Sequence, residues 1–92
     1  MELKEGDKVR GHISKDGEIL LRDVPVEMKK NAQLSTPETP ALQFDVFPPS
    51  KPECAVDDVC QFVVNDEQVE VRVIEARPFV GDNFVLCFLY SP

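Results

Sequence analysis

Residues 59–90 hold three apolar-alternating runs separated by two short polar breaks, a pattern that leaves little choice of fold class. The runs are Val59-Cys60-Gln61-Phe62-Val63-Val64, Val69-Glu70-Val71-Arg72-Val73-Ile74 and Phe84-Val85-Leu86-Cys87-Phe88-Leu89-Tyr90. Side chains on a strand alternate between faces, so Val69, Val71 and Val73 line one side while Glu70 and Arg72 line the other. Asn65-Asp66-Glu67-Gln68 and Gly81-Asp82-Asn83 fill the breaks, and these are turn-forming residues. The pattern predicts a three-stranded antiparallel meander.

The same logic extends toward the start of the chain. Val9 to Ser14 alternates with Val9 and Ile13 on one face, and Glu18 to Arg22 returns with Ile19, Leu20 and Leu21. Asp16-Gly17 between them is a strong hairpin signal because glycine accepts a positive φ. Pro25 lacks the donor a central strand needs, so Asp23–Met28 is expected at an edge or a bend. Residues 29–40 are poor in apolar side chains and predict a long loop, functional or disordered. Leu42, Phe44 and Val46 then alternate with Gln43 and Asp45, and Pro48-Pro49-Ser50-Lys51-Pro52 ends that strand. No segment sustains a helical period, and eight prolines leave few windows for a helix.

The expected fold is therefore all-β: a small antiparallel β-barrel or sandwich of about six to seven strands with a long loop near residues 29–40. Residues 1–7 read as a flexible lead-in, and 8–92 as a single domain. The faces predict a core of Val9, Ile13, Ile19, Leu21, Leu42, Phe44, Val46, Phe62, Val64, Val69, Val71, Val73, Phe84, Leu86 and Phe88. The last run is apolar on both faces, so its second face is expected to be covered by a loop or by a partner.

Composition excludes several function classes. A formal net charge of −7 disfavours direct binding to nucleic acid or to an anionic membrane surface. No apolar run approaches the roughly 20 residues of a membrane-spanning helix, and the start lacks the apolar stretch of a secretory signal, so use in a cytosol is expected. Cys54, Cys60 and Cys87 form neither an even disulfide framework nor a paired motif. A zinc site would need all three thiols and His12, and no metal or cofactor is expected. His12 with Cys60 or Cys87 is the one conceivable nucleophile–base pair, and nothing in the spacing supports it. Asp57-Asp58 and Asp66-Glu67 are adjacent acids without an apolar frame to raise a pKa. The chain is expected to work by presenting surface, not as an enzyme.

The order of features resembles a known family. Val9-Arg10-Gly11-His12-Ile13 comes first, then a hairpin and Val24-Pro25-Val26, then a long loop leading to Pro40-Ala41-Leu42-Gln43-Phe44. A hairpin spanning Val63 to Val71 and a closing apolar strand complete the layout. This resembles the small head–tail joining (tail-attachment or head-completion) proteins of lambdoid tailed bacteriophages over roughly residues 8–90. The resemblance implies a non-enzymatic structural role in virion assembly, with copies assembled, as a ring-forming homo-oligomer, between the portal or connector of the head and the tail. It implies a host bacterial cytoplasm and then the virion as location. Within that reading, Leu34 and Thr36 of the long loop and Arg77, Phe79, Val80 and Asp82 of the 77–82 turn are candidate partner contacts. Leu34, Phe79 and Val80 stand out as apolar residues in loop-like surroundings. A competing class, needing only acidity and small size, is an acidic inhibitor or adaptor that binds one basic protein, such as an anti-defence factor.

Overall fold

Seven strands and no helix make up the computed structural model, which describes residues 2–90. They are β1 (Lys8–Lys15), β2 (Glu18–Glu27), β3 (Lys29–Lys30), β4 (Leu42–Val46), β5 (Val59–Val64), β6 (Glu67–Pro78) and β7 (Phe84–Tyr90). All pairings are antiparallel, and one sheet of order β2-β1-β5-β6-β7-β4-β3 curls into a half-barrel. The all-β expectation holds, down to the strand count.

Both tight hairpins follow from residues that tolerate a left-handed backbone. Asp16 and Gly17 lie at φ 53° and 81° between the paired Lys15 and Glu18. Asn65 and Asp66 lie at φ 50° and 69° between the paired Val64 and Glu67. Two positive φ values in a two-residue loop match the right-handed twist of the flanking strands. The break expected over 65–68 therefore shrinks to two residues, and Glu67 and Gln68 join β6.

The core lies inside the curl. Phe44 stacks on its ladder partner Phe88, with ring centroids 5.3 Å apart, and meets Phe62 of β5 across the interior at 4.9 Å. All three are fully buried, together with Ile13, Val71, Val73 and Leu86. Val9, Leu21 and Val69 pack against this cluster while partly buried. Phe84, expected inside, is only half-buried because it opens β7 at the mouth of the barrel.

Bulges account for the departures. In β1–β2, Ile13 faces Leu21 while Ser14 faces Ile19, so Leu20 is an extra residue. The bulge turns Ile19 outward to 37% exposure, which corrects its expected place in the core. A second irregularity between the Gly11–Val24 and Ile13–Leu21 pairs holds Asp23 at φ 49°. In β6 the extra residue is Ile74, since Val73 faces Phe88 and Glu75 faces Cys87. Past that point Ala76, not Glu75, packs against the core.

β2 sits at the sheet edge, and Pro25 is accommodated there as expected. Only Met28 separates β2 from β3 at the other end of the sheet order, and Met28 is buried. The expected loop loses its first two residues to β3, where Lys29 and Lys30 face Gln43 and Leu42. The rest is cross-braced: Asn31 N donates to Ala41 O at 2.9 Å, and Ser35 Oγ accepts from Ala41 N at 2.9 Å. The expected lead-in is likewise fastened. Gly6 N donates to Met28 O (2.8 Å), Met28 N donates to Asp7 O (2.9 Å), and Leu3 is buried.

At Gly11 the backbone of β1 lies against β5 with no room for a side chain. A Cβ there would stand 2.3 Å from the Val63 carbonyl oxygen and 2.9 Å from the Phe62 ring. Because the nearer obstacle is backbone, Gly11→Ala is expected to push β1 off β5 and to lower the melting temperature sharply. Phe44→Ala is expected to cost about 3–5 kcal/mol, a large share of a domain stability of about 5–15 kcal/mol. Denaturant unfolding measures both; a variant with the wild-type midpoint would contradict the assigned contact.

Candidate functional site

The outer face of β7 is the place where a strand meets its surroundings in an unusual way. Val85, Cys87 and Leu89 point away from the core cluster yet are 4–8% exposed. In the ladders Gln43 and Arg72 flank Leu89, Asp45 and Glu75 flank Cys87, and Arg77 flanks Val85; Asn31 Nδ2, just after β3, donates to Gln43 Oε1 at 2.8 Å.

At the end of this row stands an apolar tip. Phe47, one residue beyond β4, is 58% exposed; Phe79 and Val80, in the turn between β6 and β7, are 54% and 63% exposed. The Phe47 and Phe79 rings are 5.4 Å apart. Backbone bonds shape the tip: Phe79 N donates to Asn83 O (2.9 Å), and Asn83 N donates to Val80 O (3.0 Å). Phe84 N donates to Pro48 O at 2.9 Å, joining the β6–β7 turn to the start of the β4–β5 connection. Gly81, at φ 61°, lets the turn close. Arg77 pairs with Glu75, and Asp82 is exposed in the turn.

The structure does not bring all six expected contact residues together. Arg77, Phe79, Val80 and Asp82 belong to this tip. Leu34 and Thr36 sit in the 31–41 loop at the opposite end of β4, roughly 16 Å away by strand rise. Leu34 is 49% exposed, while Thr36 Oγ1 accepts from Thr39 N at 2.9 Å and so closes its own loop. Sequence reasoning missed Phe47. The signal was present: with Leu42, Phe44 and Val46 inward, alternation sends residue 47 outward.

Other polar clusters hold the fold together. Asp58 Oδ2 accepts from Lys15 Nζ at 2.9 Å and from Ala55 N at 2.8 Å, pinning the turn before β5 to β1. The Lys15 hydrogen bond, with that from Ala55, holds the Asp58 carboxyl below its usual range. Arg10 grips Asp23 at the β2 irregularity. His12 and Cys60 occupy opposite faces of the sheet, since His12 alternates with inward Ile13 while Cys60 is inward with Phe62. Among the described residues, no three potential ligands come together to hold a metal ion, and no helix is long and apolar enough to cross a membrane.

Burial pushes the Cys60 thiol up to about 11. Cys87 is pushed up to about 12, by burial first and then by a hydrogen bond to Asp45 and the charges of Asp45 and Glu75. No protein-family model, curated protein or solved structure matches the chain.

These thiols give a pH signature. Folded Cys60 and Cys87 stay protonated above the ordinary thiol value of 9.0, whereas the unfolded thiols ionise there. Stability is therefore expected to be unaffected by them below about pH 9 and to fall as the pH rises toward the folded values. At about pH 8, roughly one in a thousand or fewer of either thiol is ionised, so labelling by a thiol reagent should wait on unfolding. Rapid native-state labelling of Cys87, read by peptide mass spectrometry, would contradict its placement.

Proposed function

We propose that this protein is a non-enzymatic joining protein of the kind that links the portal end of a bacteriophage head to its tail, with the Phe47–Phe79–Val80 tip as a partner contact. The observation that carries this reading is the tip itself. An exposed aromatic pair on a backbone-braced turn adds nothing to the core, and apolar residues gathered at one exposed spot mark contact surfaces. The order of strands, and the valine–arginine–glycine start of β1, support the head–tail reading over other joining roles. Rings of copies on the connector would present several tips at once to the tail, multiplying a weak contact.

The acidic character supports a second reading, a small inhibitor or adaptor of a basic protein. Residues 1–30 carry seven basic and seven acidic side chains, so the whole net charge of −7 lies beyond them. Co-purification separates the two. Portal and tail proteins captured by tagged protein favour joining; capture of a single basic nucleic-acid-binding protein favours inhibition. The double variant Phe47→Ser with Phe79→Ser is expected to keep the wild-type melting temperature within a few degrees, since both rings are half-exposed, and to lose partner capture. Undiminished capture by the folded variant would reject the tip as the contact.

A further inference from the structure

We propose that the partner segment seated on this tip is basic as well as apolar, carrying a lysine or arginine two residues from its apolar anchor, with the cation on Asp45. This rests on the reading of the tip as a partner surface and adds the chemistry of what lands there.

Phe47 and Asp45 are two residues apart along one extended stretch and share the outer face. An extended segment lying alongside β4 repeats side chains at the same spacing of roughly 6.6 Å, so an anchor on Phe47 and Phe79 places the next same-face side chain over Asp45. Across β7, Cys87 separates Asp45 from Glu75 in the ladders. Glu75 is taken by Arg77, whereas Asp45 has no cation within ion-pair distance among the described residues. Asp45 is half-buried and hydrogen-bonds the Cys87 thiol, whereas Glu75 is exposed. A cation arriving there meets a carboxylate that no described lysine or arginine already pairs.

Other occupants fit worse. A second copy meeting this tip with its own would bring a second Asp45 and Asp82 to it, and like charges at close range repel. The tip offers apolar area on the order of 300 Å², well short of the roughly 800 Å² per side of a stable interface. An anionic membrane is disfavoured by the same carboxylates.

The test is an amide-shift titration of the full chain, at low ionic strength, with a blocked alanine pentapeptide bearing leucine at its second position and lysine at its fourth. Controls replace lysine with glutamate or leucine with serine. Perturbations centred on Asp45, Phe47, Glu75 and Phe79 are expected, larger than with either control, and weakened about fivefold by Asp45→Asn. No perturbation at millimolar peptide, equal response to the glutamate peptide, spread to the acids at Asp57 and Asp66, or an unchanged Asp45→Asn titration would each overturn the proposal. In co-purification, loss of capture on Phe47→Ser with Phe79→Ser but not on Asp45→Asn would leave the joining reading standing and remove this one.

Discussion

The constraint on which the rest of the structure depends is the single residue between β2 and β3. These strands are first and last in the sheet order, so a flat seven-stranded sheet would hold them roughly 29 Å apart. The chain crosses from Glu27 to Lys29 through Met28 alone, a reach of about 7 Å at most. The sheet has to roll up. Burial of Met28, with its backbone bonded to Gly6 and Asp7, makes the corner a fixed point and not a slack hinge.

Once the sheet is rolled, its inner face closes on itself, and the aromatic packing follows. Phe44 sits beside Phe88 through the ladder but reaches Phe62 only through the curl, because β6 and β7 intervene along the sheet. Curvature of that degree needs local relief. The extra residues at Leu20 and Ile74 and the bare backbone of Gly11 supply it. Each extra residue changes which side chains face out, and the one in β6 brings Glu75, in place of an apolar neighbour, alongside Cys87.

How far this was legible in the residues depends on the range of the interaction involved. Hairpins announced themselves, because Asp16-Gly17 and Asn65-Asp66 encode a backbone conformation locally. Inward faces were legible wherever alternation ran undisturbed, as in 42–46 and 59–64. Ile19 was misplaced because a bulge resets the period, and a bulge arises from the curl, not from the residues beside it. Leu3 and Met28 gave no periodic signal, since each is buried by a distant partner. The tip was half legible: Phe79 and Val80 are conspicuous in a turn, but Phe47 gains meaning only when the strand's phase is carried one residue past its end. Leu34 and Phe79 looked alike in sequence and lie at opposite ends of β4.

The irregular margin formed by β2 has a consequence for how this molecule meets others. Its extra residues, the left-handed Asp23 and the missing donor at Pro25 break up the row of amides and carbonyls that a foreign strand would need as a template. Fibre-like growth by strand addition is blocked at that rim. Contact with another chain at that rim is left to side chains, which point substitutions can alter without endangering the architecture beneath.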